Sequence, residues 1–203
     1  MRQQAEAYLK TALNNPAASF RGGQWESIEQ LLNGNRVLVV QRTGWGKSMV
    51  YFLAIKLLRE QGAGPTLLIS PLLSLMRNQL EAAQRIGIAG RTINSTNNEE
   101  WEQIQSELAS NQVDVLLISP ERLANDDFRQ NVLANIATNI RLFVIDEAHC
   151  ISDWGHDFRP DYRRIVRVLQ AIPSNVPVLA TTATANDRVV NDIKSQLGQN
   201  IIL

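Results

Sequence analysis

Short apolar runs alternate along the chain with longer segments whose apolar residues recur at helical spacing. The runs are rich in Val, Ile and Leu and show little polar alternation, which is typical of strands buried on both faces of a parallel sheet. Strands are predicted at residues 36–40, 66–70, 91–94, 113–119, 140–145 and 176–181, with a shorter candidate at 201–203. Helices are predicted at residues 47–60, 72–86, 98–109, 160–169 and 185–197.

This alternation predicts an α/β domain with a mostly parallel β-sheet, helices on both faces and right-handed crossovers. No segment repeats at a fixed period, and no Pro/Gly/Ser-rich linker divides the chain. We therefore interpret residues 1–203 as one domain, with residues 1–19 as an N-terminal helical extension. Such sheets bind ligands beyond the carboxyl ends of their strands, so the loops after the apolar runs are where chemistry is expected.

The loop after the first predicted strand has the composition of a phosphate-binding loop. It reads QRTGWGKS at residues 41–48 and leads directly into a predicted helix, whose N-terminus favours anions. Lys47 is predicted to contact the terminal phosphates of a nucleotide, and the Ser48 hydroxyl to complete the shell of Mg²⁺. Only the TGxGKS core matches the P-loop pattern, because Gln41 stands where a small residue is required. The alternative is an ordinary strand–helix turn with a surface lysine.

Two adjacent carboxylates, Asp146 and Glu147, follow the predicted strand at residues 140–145. An aspartate at a strand end can hold Mg²⁺ through water, and the next glutamate can activate the water that attacks a γ-phosphate. Alone, the pair could equally be a solvated turn. Together with Lys47 it predicts a nucleoside triphosphatase in which these three residues are catalytic.

Charge, cysteine count and the length of apolar runs exclude several kinds of site. Twenty basic residues balance twenty acidic ones, so any nucleic-acid site must be local and not a generally basic surface. Cys150 is the one cysteine, so neither an internal disulfide nor a multi-cysteine zinc site is expected. No apolar run approaches the roughly twenty residues of a membrane span, and no signal-peptide stretch begins the chain. A soluble, intracellular protein without a membrane partner is expected.

Six ordered motifs resemble those of the RecQ DNA helicases of superfamily 2. They are FRGGQ at residues 20–24, TGWGKS at 43–48, SPLLSLMRNQ at 70–79, SPERL at 119–123, DEAHCISDWGHDFRPDY at 146–162 and TTATA at 181–185. DEAH is shared by several helicases, whereas the CIS-WGHDFRP continuation is typical of RecQ. The resemblance implies a RecA-like P-loop lobe that uses Mg-ATP to translocate on single-stranded DNA and to unwind duplex junctions three-prime to five-prime, in DNA repair or recombination.

The resemblance also implies roles for individual residues. Gln24 is implied as the adenine reader, because an amide can donate and accept at the base edge, and Arg21 as the residue that packs on the base. The implied ATP and Mg²⁺ set is Arg21, Gln24, Thr43, Gly44, Trp45, Gly46, Lys47, Ser48 and Asp146. The implied DNA-binding or coupling set is Ser74, Arg77, Gln79, His149, Trp154, His156, Phe158, Arg159, Thr182 and Thr184.

The aromatic segment at residues 153–159 is the most specific DNA prediction. Trp154 and Phe158 can stack on unpaired bases, and Arg159 adds attraction to phosphates. The alternative is that these aromatics only anchor a loop on the core. His149 and His156 fit hydrogen-bonded coupling better than zinc binding, since their spacing matches no common zinc pattern.

Two helical segments complete the predictions for side chains. Leu72, Leu75 and Met76 are expected to pack in the core. Arg163 and Arg167 share a helix face, which is interpreted either as a DNA-contacting stripe or as a solvated face.

The chain departs from the RecQ pattern in its phosphate loop and just before it. Gln41 and Arg42 replace a small residue and a proline, and Trp45 replaces a glycine and is expected to point outward. No adenine-stacking tyrosine stands close before Phe20.

RecQ proteins also carry a second RecA-like lobe with an arginine finger, a four-cysteine zinc module and a winged helix. The chain is expected to be the first lobe of a longer protein, nearly inactive alone, in a nucleoid-associated cytoplasmic or a nuclear setting. A translocase or remodelling ATPase without unwinding, and a non-catalytic nucleotide-binding module, are the alternatives.

Overall fold

The computed structural model describes residues 1–93, 97–152, 160–198 and 201–202. The described part contains one sheet of six parallel strands in the order β1-β6-β5-β2-β4-β3. The strands are Arg36–Val40 (β1), Thr66–Ile69 (β2), Gly90–Ile93 (β3), Val115–Ile118 (β4), Leu142–Ile145 (β5) and Val178–Thr182 (β6). The predicted α/β fold with a parallel sheet is confirmed.

Helices connect the strands and cover both faces of the sheet. The α-helices are Arg2–Ala12 (α1), Gln24–Leu32 (α2), Lys47–Glu60 (α3), Arg77–Arg85 (α4), Trp101–Ala109 (α5), Ala134–Ile136 (α6), Ile165–Ala171 (α7) and Asp187–Leu197 (α8). Single 3-10 turns lie at Leu73–Leu75, Asn98–Glu100, Pro120–Ala124, Ala137–Asn139, Ala148–Ile151 and Pro160–Arg164, and a π-helical turn at Phe128–Leu133. No helix in the described ranges is long and apolar enough to cross a membrane.

The core consists of two apolar layers, one on each face of the sheet. Because successive strand residues point to opposite faces, Leu67 and Ile69 of β2 lie in one layer and Leu68 in the other. Helices α1 to α4 pack on the face that contains Leu68, and α5 to α8 pack on the opposite face. Burial on both faces explains why the strands read as continuous apolar runs.

The segment after β2 differs from its prediction. The helix predicted at residues 72–86 is a 3-10 turn followed by α4, and Leu72 and Leu75 are 37% and 68% exposed. Only Met76 of the three expected core residues is buried. The expectation for Leu72 and Leu75 was wrong because this turn stands at the carboxyl edge of the sheet, where neither helical layer covers it.

Other boundaries shift by one or two residues. The strand predicted at 140–145 begins at Leu142, and the helix predicted at 160–169 begins as a 3-10 turn before α7. The candidate strand at 201–203 is reduced to a bridge between Ile202 and Val37 in the described residues.

Strand order decides where the site lies. Strands β1, β6, β5 and β2 are consecutive neighbours, and all four point the same way. Their carboxyl ends therefore bring together the loops that carry four of the predicted motifs. We call this rim the carboxyl edge.

Candidate active site

The phosphate loop, residues 41–46 between β1 and α3, depends on two glycines with left-handed backbone. Gly44 and Gly46 have φ of 83° and 99°, a region that side chains other than glycine rarely enter. A Cβ at Gly46 would lie 2.6 Å from the Gln24 amide nitrogen. Glycine is therefore required at residue 46 both for the turn and for the close approach of α2.

Lys47 begins α3 and turns its ammonium back onto this loop. Its Nζ donates to the carbonyl oxygens of Gln41 at 2.7 Å and Arg42 at 3.4 Å. Burial lowers the pKa of Lys47, while the negative charges of Glu147 and Asp146 oppose that shift. The lysine therefore lies within electrostatic range of both carboxylates, as a residue between a phosphate chain and its metal should.

Gln24 and Arg21, at and just before the start of α2, hydrogen-bond to backbone carbonyls of the phosphate loop. The Gln24 amide nitrogen donates to the Trp45 carbonyl at 2.9 Å, and its amide oxygen accepts from the Arg21 backbone N–H at 2.9 Å. The Arg21 guanidinium donates to the Gly44 carbonyl. Both residues predicted to read adenine thus contact the loop predicted to bind phosphate, and their roles toward the base stay predictions.

Trp45 is buried, at 8% exposure, so the expectation that it points outward was wrong. Its indole packs over Gly23, where an added Cβ would lie 3.5 Å from the ring. Because Gly23 has no side chain, the tryptophan finds space against the start of α2 instead of occupying the phosphate side of the loop. This arrangement explains how a bulky residue fits a position where the resembled family has glycine.

Asp146, directly after β5, is fixed by the two strands that flank β5. Its carboxylate oxygens accept from the Ser70 hydroxyl at 3.1 Å and from the Thr181 hydroxyl at 2.7 Å. Its backbone N–H donates to Ile69, and its carbonyl accepts from the Tyr162 hydroxyl at 3.0 Å. Four contacts from three segments hold Asp146 in place, two of them on its carboxylate.

Burial raises the pKa of Asp146, and the neighbouring Glu147 charge raises it further. The hydroxyls of Thr181 and Ser70 and the Glu147 backbone N–H oppose the shift, since they stabilise the ionised form. A buried carboxylate with hydroxyl donors on both oxygens fits a Mg²⁺ site in which metal-bound water supplies further contacts. Asp146 and the half-buried Ser48 at the start of α3 are the residues that would hold the ion.

Glu147 adopts a left-handed backbone with φ of 53°, which is uncommon for a residue with a side chain. Its carboxylate lies 3.2 Å from Nδ1 of His149, and that nitrogen lies 2.8 Å from the Thr182 hydroxyl. Such strain is often found at functional sites because the surroundings must hold it. The imidazole bridges the glutamate to the end of β6, which suits the predicted coupling role of His149 and Thr182.

Three residues of this site were not predicted from sequence: Ser70, Thr181 and Tyr162. Ser70 and Thr181 lie at the carboxyl ends of β2 and β6, the strands that pair with β5. Polar residues ending otherwise apolar strands were the available signal, but the strand order was needed to show that they face Asp146.

Only some of the predicted DNA-contact residues lie within the described part of the chain. Ser74 and Arg77 are exposed and Gln79 is half-buried, all on the turn and helix after β2. Thr184 is exposed just beyond β6. Trp154, His156, Phe158 and Arg159 lie outside the described residues. The described members stand along the carboxyl edge, beside the carboxylate pair.

Comparison with known proteins gives related sequences and related folds. Residues 21–193 match the DEAD/DEAH box helicase family. The ATP-dependent DNA helicase RecQ of Haemophilus influenzae is 41% identical over 180 residues, which cover 88% of this chain and 28% of that protein. RecQ of Bacillus subtilis is 39% identical over 181 residues, covering 88% and 29%. The predicted resemblance to RecQ helicases is confirmed, and the chain spans less than a third of either relative.

Solved structures agree on the fold. A crystal structure of the DUF1998 helicase MrfA superposes with a TM-score of 0.76 at 18% identity, covering 100% of this chain and 32% of that one. A hypothetical ATP-dependent RNA helicase from Sulfolobus tokodaii gives a TM-score of 0.66 at 21% identity, covering 97% and 55%. At these identities the likeness shows a shared helicase-type α/β fold.

Proposed function

The chain belongs to the DEAD/DEAH box helicase family, and on that premise we propose that it is the ATP-hydrolysing motor lobe of a RecQ-type DNA helicase. One observation carries the proposal. The phosphate loop with Lys47 and the Asp146–Glu147 pair meet at the carboxyl edge of one sheet. They are close enough for both carboxylate charges to raise the pKa of Lys47 against the effect of burial. A non-catalytic nucleotide-binding module would have no use for this arrangement.

Each residue has a distinct task in the proposed reaction. Lys47 exchanges the Gln41 carbonyl for phosphate oxygens, so the same ammonium that closes the loop would neutralise the terminal phosphates. Asp146 and Ser48 would hold Mg²⁺, which would supply charge neutralisation to the phosphate chain. Glu147 orients the attacking water and accepts its proton, with His149 fixing the carboxylate from behind.

Coupling to DNA extends the proposal along the carboxyl edge. Ser74, Arg77 and Gln79 would contact the phosphates of a single strand, and the aromatic segment at residues 153–159 would sense its bases. The relatives named ATP-dependent DNA helicase RecQ support DNA as the substrate. Three-prime to five-prime unwinding, in repair or recombination, is part of the same proposal. A second RecA-like lobe as partner, and a nucleoid-associated or nuclear location, belong to the same proposal.

Nucleotide binding by the 203-residue chain tests the site directly. A fluorescent ATP analogue is titrated with and without Mg²⁺ against the wild type, Lys47→Ala and Lys56→Ala. Lys56 is the matched control, since it lies on α3 two turns away and pairs with Glu60. We expect Mg²⁺-dependent binding that Lys47→Ala weakens by about tenfold or more and Lys56→Ala leaves unchanged. Equal losses in both variants, or no dependence on Mg²⁺, would contradict the proposed site.

Unwinding is tested separately, in the protein that carries this lobe, by displacement of a strand from a duplex with a three-prime tail. DNA-stimulated ATP turnover without displacement would favour the translocase or remodelling alternative over a helicase. Turnover that DNA does not stimulate would contradict the proposed coupling while leaving the nucleotide site in place.

A further inference from the structure

A second pocket, away from the carboxyl-edge site, opens on the outer flank of the layer formed by α5 to α8. Its volume is about 230 Å³, and its floor is made by the buried side chains of Leu123, Leu133 and Val168. Ala134 and Ala171 also line the pocket, and their small, exposed side chains leave the space open. This volume is several times the roughly 30 Å³ that one water occupies, which is enough for one large apolar side chain.

Three arginines surround this apolar floor: Arg129, Arg164 and Arg167. Arg129 pairs with Asp126, and Arg164 pairs with Asp161, each from three residues away on its own segment. Arg167 is exposed and makes no hydrogen bond or ion pair within the described ranges. No acidic residue of the described chain lines the pocket itself, and Arg167 leaves one unpaired positive charge at its mouth.

Arg129 lies in an unusual local environment. Its Nε is fully buried and has no hydrogen-bond partner among the described residues, although such donors are normally satisfied. Arg129 also lies in the π-helical turn Phe128–Leu133, a rare conformation that is frequently found at functional sites.

We propose that this pocket binds a short acidic peptide segment of a partner protein. One large apolar side chain of the segment would fill the space over Leu133 and Val168. Flanking carboxylates would contact Arg164 and Arg167, whose planar guanidinium groups suit bidentate carboxylate binding. An apolar anchor between acidic residues is the chemistry that matches an apolar floor inside an arginine rim.

The position of the pocket favours a peptide over nucleic acid. Helix α7 and the segment at residues 134–139 both lead from the carboxyl edge back toward the starts of β6 and β5. The pocket between them therefore faces the flank, while the candidate DNA residues stand along the carboxyl edge. A nucleobase would also bring ring nitrogens and carbonyls to a floor of leucine and valine, which offers them no partners.

Fluorescence anisotropy of the 203-residue chain with a labelled peptide, Asp-Asp-Asp-Phe-Asp-Asp, tests the proposal. Ala171→Leu fills the space from an exposed position, and Ala7→Leu, on an exposed face of α1, is its matched control. Arg167→Gln removes one rim charge. We expect saturable binding that weakens by about tenfold in Ala171→Leu, by about threefold in Arg167→Gln, and not in Ala7→Leu. The same peptide with Ser in place of Phe should bind at least about tenfold more weakly.

Three results would overturn the assignment. The peptide could bind Ala171→Leu as well as the wild type, or bind equally well with Ser in place of Phe. A labelled oligothymidylate could instead bind in a manner lost in Ala171→Leu, which would make the pocket a nucleic-acid site. Binding of the fluorescent ATP analogue by Ala171→Leu is measured in parallel, and we expect it to be unchanged. A failed peptide test therefore leaves the proposed ATP site standing, and a failed ATP test leaves the pocket standing.

Discussion

Replacing Thr181 with valine isolates one hydrogen bond of the carboxylate site. The Thr181 hydroxyl donates to Asp146 at 2.7 Å, and the residue is fully buried in β6. Valine keeps the branched shape that suits a strand and removes only the donor. Thr181→Val should therefore leave the sheet intact and destabilise the ionised form of Asp146.

The size of the effect depends on the charge of Asp146. A hydrogen bond to an ionised group contributes about 1.5–3 kcal/mol, whereas one between neutral groups contributes about 0.5–1.5 kcal/mol. With Asp146 ionised, the free energy of unfolding should therefore fall by about 1.5–3 kcal/mol. Once Asp146 is protonated the loss should shrink to about 1 kcal/mol or less.

The direction of the pH dependence follows from the same pKa. Burial raises the pKa of Asp146 in the folded protein above its unfolded value, so the native state keeps this proton to a higher pH and loses stability as the pH rises through that window. Thr181 opposes the rise, and its removal should raise the pKa further. The deficit of the variant should therefore grow as the pH rises through the folded-state pKa values of the two proteins, and level off above them.

Urea unfolding of the wild type and Thr181→Val, from about pH 4 to about pH 8, measures this deficit. Thr66→Val is the matched control, because Thr66 is also buried in a strand but makes no hydrogen bond to a carboxylate within the described residues. Its stability change should not vary with pH. A deficit for Thr181→Val that is the same at both ends of the range would refute the charge-assisted bond to Asp146.

Three further predictions concern turnover in the protein that carries this lobe. Glu147→Gln should bind the fluorescent ATP analogue nearly as tightly as the wild type but should not hydrolyse ATP, because the amide is a poor base. Comparable losses of affinity in Glu147→Gln and Lys47→Ala would contradict the role of Glu147. Tyr162→Phe removes the hydrogen bond to the Asp146 carbonyl, so it should lower the free energy of unfolding by about 0.5–1.5 kcal/mol and reduce kcat more than nucleotide affinity. An unchanged kcat in steady-state assays would show that Tyr162 is purely structural. Trp154→Ala and Phe158→Ala should abolish stimulation of ATP turnover by single-stranded DNA while leaving the melting temperature and basal rate nearly unchanged. A large drop in melting temperature would indicate instead that these aromatics anchor the loop on the core.

Periodicity predicted the sheet well because the strands are buried on both faces. Val144 and Ile145 of β5 are fully buried in opposite layers, so every position of such a strand had to be apolar. The same reasoning failed at Leu75, since an apolar residue in a helical pattern was assumed to face a core. Apolar spacing alone does not tell whether a turn lies under a helical layer or beyond the edge of the sheet.

Site residues could be predicted where the chemical type of the side chain indicates its role. They could not be predicted where the role depends on a contact that the fold creates. Lys47, Asp146 and Glu147 were found from loop composition and strand ends alone, because phosphate and metal chemistry calls for those groups. Ser70 and Thr181 were not, because their contact with Asp146 depends on β2 and β6 flanking β5. Trp45 was misjudged for a similar reason, since the space for its indole is created by Gly23 on another element.

The contacts of the carboxylate pair link each described segment of the predicted DNA motifs to Asp146 or Glu147, either directly or through one side chain. Ser70, which begins the SPLLSLMRNQ segment, donates to the Asp146 carboxylate. Tyr162, which ends the aromatic motif, donates to the Asp146 carbonyl, and Thr182 reaches Glu147 through His149. A strand of DNA that moved any of these segments by a few tenths of an ångström would change the position of a carboxylate or the hydrogen bonds that hold it ionised. The proposed coupling between DNA and hydrolysis would therefore need no large rearrangement within this lobe, only a shift in hydroxyl and imidazole contacts that already converge on two adjacent residues.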